Sequence, residues 1–356
     1  MEKKRFIITI QDVFNYGNRL QNYAMQKLTG GRSVISHKYK FIMLFRAFRQ
    51  FYWGIISLFS KKKKILYRRM KSFGKFNRNI HFYHKIIKNY NKNEMNSFGE
   101  MEAFFITGSD QVWNPYFCKD MYFYMLGFSK KRGNNIAIAP SIGVDKLTEL
   151  QNIEFKKYIN NFKVLSCREE SGSNIISTLT DIECTTLIDP TLMLSDKEWD
   201  IICKKPKFHD ENKKYILLYF LGDLSIDYKT IVALISKKYG LDVINILDES
   251  SEYYSCGPSE FIWLIKHCSI MLTDSFHGSV FSYIYEKPLR IFKRIDSGPS
   301  INSRLTNLVR VLHLSNEIYL SDDSNLDHIL EVNYDKSYLL VEQQKFKAYL
   351  DEAFKE

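Results

Sequence analysis

Within SIMLTDSFHGSVFS, residues 269–282, an apolar run ends in Thr273, Asp274, Ser275, Phe276 and His277, and Gly278 and Ser279 follow. A short apolar run of this kind reads as a buried strand, and the small polar residues after it open a helix. An imidazole and several backbone amides then meet at one strand end. That suits an anion, or proton transfer near neutral pH. A lone histidine is more often structural, but this setting favours a catalytic or anion-binding role for His277.

Three other clusters follow apolar runs. Gln11, Asp12, Asn15 and Asn18 surround Gly17 in QDVFNYGNRLQNYAMQ, just before a helical pattern. So many carboxylate and amide groups in one turn point to a site that grips a polyol, against the plainer reading of an N-capped turn. In GSDQVWNP, residues 108–115, Ser109, Asp110, Gln111 and Asn114 stand beside Trp113. An indole can stack on the C–H face of a sugar whose hydroxyls are hydrogen-bonded by its neighbours. The plainer reading is a turn anchored by a tryptophan. In SCREESG, residues 166–172, Arg168 stands at a strand end, where a guanidinium can fork onto phosphate or carboxylate. A structural Arg–Glu pair with Glu169 or Glu170 is the alternative.

These clusters need strands and helices to position them, and the sequence supplies an alternating series. Strands are expected at 5–10, 103–107, 135–139, 162–166 and 184–188, then at 214–220, 242–246, 269–273 and 288–292. Helices are expected at 18–28, 41–59, 62–78, 146–160, 169–180, 226–239, 258–267, 277–285, 303–311 and 336–354. The alternation predicts an α/β protein with parallel sheets covered by helices on both faces. Two such series predict two Rossmann-like lobes with a cleft between them. Asp189-Pro190 interrupts the pattern, because proline cannot continue a ladder. The expected domains are therefore 1–188, carrying a basic helical insertion at about 38–92, and 189–330. A terminal helix at 336–356 is expected to cross back to the first domain.

The chain has 356 residues, 45% of them hydrophobic and 26% charged, which excludes global disorder. No window is apolar enough for a transmembrane helix, and MEKKRFIITI runs from charge into a strand pattern without a signal-peptide core. The expected location is the cytoplasm. Six scattered cysteines without a C-x-x-C pair fit reduced thiols, and His81 with His84 has no acidic or cysteine neighbour to complete a metal site. No metal is expected.

Net charge is +11, unevenly spread. Val13 to Asn93 holds 19 Lys and Arg and no Asp or Glu, whereas the rest of the chain has 32 basic against 40 acidic residues. One face is expected to meet something anionic: nucleic acid, membrane headgroups or a phosphorylated substrate. Residues 41–64 mix Phe, Tyr and Trp with Arg46, Arg49 and Lys61 to Lys64. Aromatic residues beside cations suit a membrane interface, here at about 41–71. A core-packing helix with a solvated basic side is the plainer reading. No nucleic-acid-binding signature is present, and no nucleic acid partner is expected.

In this order the motifs resemble the polysaccharide pyruvyltransferase family. The matching pieces are Asn15-Tyr16-Gly17-Asn18 with Gln21, GSDQVWNP, SCREESG, DPTLML at 189–194, CGPSEF at 256–261 and TDSFHGSVFSYIYEKP at 273–288. The resemblance implies two Rossmann-like lobes in a GT-B-like arrangement. It implies phosphoenolpyruvate as co-substrate, no further cofactor, and a sugar of a surface polysaccharide, such as a lipid-linked oligosaccharide, as acceptor. It makes His277 the essential histidine and Arg168 a donor-binding arginine. One departure is clear: Ser275-Phe276 stand where many members have Arg-Leu. Arg304, Lys293 and Arg294 are the candidates to supply the missing charge. Donor binding is thus expected at Arg168, Ser275, Phe276, His277, Gly278, Ser279 and Arg304. Acceptor binding is expected at Gln11, Asp12, Asn15, Tyr16, Asn18, Gln21, Ser109, Asp110, Gln111, Trp113 and Asn114.

Pyruvyl transfer to a ketal requires an acid for the donor's methylene carbon and a base for two hydroxyls. His277 is the candidate acid or phosphate binder, Arg168 the anion clamp, and Asp110 or Asp12 the base. Two rivals share the fold: a glycosyltransferase using a nucleotide sugar, and a non-catalytic carbohydrate-binding relative.

Overall fold

The computed structural model describes residues 3–36, 52, 54, 60–88, 91–295, 302–315, 318–320 and 326–355. The described residues divide into two compact units. Of these, the first unit contains 3–36, 78–88, 91–193 and 339–355, and the second contains 52, 54, 60–77, 194–295, 302–315, 318–320 and 326–338.

In the first unit, β1 (Lys4–Ile8), β2 (Arg32–Ser36), β3 (Phe82–Ile87), β4 (Ala103–Asp110) and β5 (Asn135–Pro140) form a parallel sheet in the order β3-β2-β1-β4-β5. β6 (Leu165–Cys167) pairs with β7 (Cys184–Thr186), and a bridge between Ile136 and Val164 joins this pair to β5. All eight residues of β4 and all six of β5 are buried, as expected for strands covered on both faces. The strand order reverses between β1 and β4, where doubly wound sheets open a crevice beyond the strands' carboxyl ends.

Helix α1 (Tyr16–Thr29) follows β1. Asn15 caps it by accepting from the Asn18 amide, and Gly30 ends it at φ 65°. Short helices at Lys92–Gly99 and Met121–Tyr124 follow β3 and β4. Helices at Glu149–Ile159 and Glu170–Ser177 follow β5 and β6. The core gathers Phe6, Phe98, Phe105 and Phe128, with ring centroids 5.1–5.9 Å apart between neighbours.

The second unit has β8 (Tyr215–Tyr219), β9 (Asp242–Asn245), β10 (Ile270–Thr273) and β11 (Leu289–Ile291), parallel in the order β11-β10-β8-β9. Its order reverses between β8 and β10. Helices at Ile226–Tyr239 and Pro258–His267 and a helix at Phe276–Ile284, here α3, connect these strands, and Asn302–Val311 follows β11.

The boundary and the insertion differ from the sequence expectation. The first unit continues past residue 188 to Met193, because Asp189 pairs with Arg168 and the turn at Pro190–Met193 packs against α1. The helix inside the expected 38–92 insertion, α2 (Lys61–Phe76), belongs to the second unit. Its Ile65, Arg69, Met70, Phe73 and Phe76 are buried, and Gly257 lies so close to Ser72 that a Cβ would come within 2.8 Å of its backbone. The helix expected at 41–59 lies outside the described residues except Tyr52 and Gly54. The last helix, α4 (Ser337–Phe354), returns to the first unit. There Tyr349 donates to the Ala137 carbonyl at 2.5 Å, Gln343 donates to Leu192 at 2.6 Å, and Phe354 meets Phe104 edge-on at 5.3 Å.

Candidate active site

In the first unit, the ends of β1, β4, β5 and β6 bring polar residues together. Thr9 donates through its hydroxyl to the Ser109 carbonyl at 3.2 Å and accepts from the Gln21 amide at 2.9 Å. β1 and β4 are thereby tied across the reversal point. Asn18 donates to the Ile10 carbonyl at 2.6 Å and accepts from the Asp12 amide at 3.0 Å. Gln11 donates to Val34 at 2.6 Å, and Asp12 closes a turn over the Val13 and Phe14 amides. Tyr16, Asn18 and Gln21 are fully buried, so they build the turn from inside, whereas Asp12 is exposed and Asn15 half-buried.

Arg168 lies at the centre, 2% exposed. It pairs with Asp189 at 2.7 Å, and a second guanidinium nitrogen lies 3.6 Å from Asp110. Burial works against its charge, but Asp189, Asp110 and Glu169 outweigh burial and raise its pKa. Asp189 also accepts from the Thr191 amide and hydroxyl at 3.0 and 2.6 Å, and Ser109 donates to it at 3.3 Å. Glu169, the next residue, accepts from the Ser141 hydroxyl and from the Ile142 and Gly143 amides at 2.8–3.1 Å. This holds Gly143 at φ 66°, where a Cβ would come within 2.5 Å of Gln111 and 2.8 Å of Asn114. A glycine therefore lets those two amide side chains close over the loop.

Trp113 is not the sugar platform suggested by its neighbours. It is fully buried, donates to the Tyr124 carbonyl at 3.3 Å, and meets Phe155 and Phe162 edge-on at 6.4 and 5.7 Å. A large indole contributes more as core than as a half-exposed face. Arg168 likewise differs from an exposed clamp, because its charge is already met by two carboxylates. Sequence reasoning missed Asp189 in that role. The available signal was the need of an arginine at a buried strand end for a counter-charge.

In the second unit, β10 runs into α3. Ser275 caps α3, accepting from the Gly278 amide at 3.4 Å, and Ser279 donates to the Ser275 carbonyl at 3.0 Å. Ser275, which the resemblance sets at a position where an arginine is expected, is thus the helix cap. A Cβ on Gly278 would come within 2.8 Å of the Thr273 hydroxyl, so the first turn of α3 lies directly on β10. His277 sits in that turn, 7% exposed, edge-on to Phe276 at 5.2 Å. Asp274 accepts from the Leu221 and Gly222 amides, both at 2.7 Å. It fixes the end of β8 against the end of β10, and burial raises its pKa. Arg304 is 9% exposed, Arg294 half-buried and Lys293 exposed. Among the described residues no group of three or more His, Cys, Asp or Glu could hold a metal ion.

Both units are parallel α/β sheets with polar residues gathered at their reversal points, as in enzymes with two Rossmann-like halves. The family model for polysaccharide pyruvyl transferase matches residues 15–296, and the chain belongs to that family. None of the curated proteins compared with the chain matches it. Among solved structures, UDP-N-acetylglucosamine 2-epimerase from Rickettsia bellii is similar at 9% identity and TM-score 0.44, covering 98% of this chain and 96% of that one. MurG from Acinetobacter baumannii is similar at 7% identity and TM-score 0.41, covering 99% and 92%. The glycotransferase of kitacinnamycin is similar at 8% identity and TM-score 0.40, covering 98% and 96%. No helix among the described residues is long and apolar enough to cross a membrane.

Proposed function

We propose that this chain transfers pyruvate from phosphoenolpyruvate to two hydroxyls of one sugar, forming a cyclic ketal and releasing phosphate. The acceptor is a sugar of a surface polysaccharide precursor, carried on a lipid at the cytoplasmic face of the membrane. The observation that carries this reading is the family match across residues 15–296 together with His277 in the first turn of α3.

In the proposed reaction, a proton goes to the donor's methylene carbon and positive charge develops at the enol carbon. One sugar hydroxyl attacks there, the carbon–oxygen bond to phosphate breaks, and the second hydroxyl closes the ring. The two hydroxyl protons balance the one gained by the methyl group and the one leaving with phosphate. His277 serves as the acid or holds the phosphate, with the amides at the start of α3 beside it. Asp110 serves as the base. Arg168 acts through Asp110, holding that carboxylate from the buried side, and is a positioning residue.

The test supplies the protein with phosphoenolpyruvate or with nucleotide sugars, alongside lipid-linked and released glycans. The reading expects phosphate release that depends on acceptor, and an acceptor mass gain equal to the donor less phosphoric acid. Glycosyl transfer from a nucleotide sugar, or acceptor binding without turnover of any donor, would overturn it.

A further inference from the structure

Helix α2 carries a row of cations on one face. Lys61, Lys64, Arg68, Lys71 and Lys75 recur at spacings of three and four residues, and all five are exposed. At about 100° per residue they fall within an arc of about 80°, and at about 1.5 Å per residue the row is about 21 Å long. The helix contains no acidic residue. Its opposite side is fixed to the second unit through Ile65, Met70, Phe73 and Phe76. Arg69 is held there too, donating to the Tyr254 carbonyl at 2.7 Å and stacking on the Tyr254 ring at 4.3 Å. The row is therefore a fixed edge of a folded unit. Arg69, inside the stretch at about 41–71 expected to suit a membrane interface, is instead buried at 2% exposure.

The neighbouring acids are already taken. Glu249 pairs with Lys62 at 2.5 Å, and Glu252 pairs with Arg68 at 3.1 Å. Glu260 is turned to its own helix, accepting from the Gly257 amide at 3.0 Å. Lys61, Lys64, Lys71 and Lys75 form no ion pair within 4 Å among the described residues, although Lys75 with Lys204 acts on Glu260 from farther away. Lys71 lies 4.6 Å from the Tyr67 ring. The sequence immediately before the helix, FYWGIISLF at 51–59, is aromatic and apolar, and Tyr52 within it is 57% exposed. A straight row of cations led by such a segment matches a bilayer interface, which takes cations at headgroup level and aromatic rings just below. A duplex or single-stranded nucleic acid has no use for the aliphatic part of that segment.

The geometry points to a docking edge for anionic lipid headgroups, formed by Lys61, Lys64, Lys71 and Lys75. Lys62 and Arg68 are largely neutralised by their partners. The inference does not depend on the identity of the donor.

Full-length protein is sedimented with vesicles of phosphatidylcholine containing phosphatidylglycerol, and with pure phosphatidylcholine vesicles. Each uncompensated lysine is worth about fivefold in partitioning near an anionic surface. Changing Lys61, Lys64, Lys71 and Lys75 together to Gln is expected to lower partitioning on the order of 10²–10³-fold. High salt does the same to the unchanged protein. Lys62→Gln with Arg68→Gln is expected to change it less than tenfold. Unchanged melting temperatures show that both variants fold. Equal binding to neutral vesicles, no loss in the fourfold variant, or an equal loss in the paired variant overturns the proposal. Tighter binding to a DNA duplex than to anionic vesicles also overturns it.

Discussion

Replacing Asp189 by Asn separates a cation held inside the first unit from one reserved for substrate. The Arg168 and Asp189 side chains are 2% and 0% exposed and lie 2.7 Å apart. With Asp189 neutral, the guanidinium loses its nearest carboxylate and keeps Asp110, 3.6 Å from the other nitrogen, and the more distant Glu169. Asn can still accept from the Thr191 amide and hydroxyl, so the change removes charge more than shape. Leaving one partner of a buried pair uncompensated costs about 3–5 kcal/mol. A domain of this size loses about 2–4 °C of melting temperature per kcal/mol, so the expected drop is on the order of 10 °C. Calorimetry at neutral pH measures it. The double change Arg168→Met with Asp189→Leu removes both charges and is expected to recover most of the loss. A drop below about 2 °C for Asp189→Asn would refute the reasoning, because it would mean that solvent or another group already serves the guanidinium.

Trp113→Ala is expected to cost about 3–5 kcal/mol by opening a cavity, and Trp113→Phe clearly less, whereas a sugar platform would show little loss of stability in either. Gly143→Ala should destabilise by more than about 1 kcal/mol, combining the φ of 66° with contact on Gln111 and Asn114; an unchanged urea midpoint would contradict that. The pKa of His209 is lowered, first by burial and then by Lys205 and Lys213, with Asp210 opposing and His267 adding slightly. The unfolded chain therefore binds this proton at higher pH than the folded one. Its contribution is full above the unfolded value near 6.5 and is lost as pH falls through that value towards the folded one. Melting temperature should fall on acidification through this window, and His209→Phe should flatten that fall even though Tyr253 loses its 2.9 Å partner.

Most strands and helices were legible because parallel strands buried on both faces leave continuous apolar runs. YILLY in β8 and IMLT in β10 are wholly buried, and the helices at 226–239 and 258–267 have the bounds read from the sequence. β2, RSVIS, was not legible. Its buried Ser33 donates to Asn22 at 2.5 Å and accepts from Gln26 at 2.8 Å, so a polar residue occupies an inward position. β3, FYHKII, lies at the sheet edge inside the basic run, where the charge pattern masks its period. The site was legible as strand-end motifs, but not in its internal pairing. Spacing placed Arg168 and Asp110 at strand ends, yet the burial of Arg168 depends on Asp189, which arrives from another segment. Trp113 has polar neighbours in sequence and apolar neighbours in space. The unit to which α2 belongs was hidden because chain order puts it in the first half, while its contacts lie with Tyr254 and Gly257.

Acceptor-dependent phosphate release from phosphoenolpyruvate, measured for the unchanged protein and for His277→Gln at matched melting temperature, tests the central claim most directly. The account predicts turnover by the unchanged protein with the corresponding mass gain on the glycan. It predicts a loss of about 10²–10⁴-fold in the variant, the range for a positioned acid or base. Full activity in a folded His277→Gln protein would contradict the account.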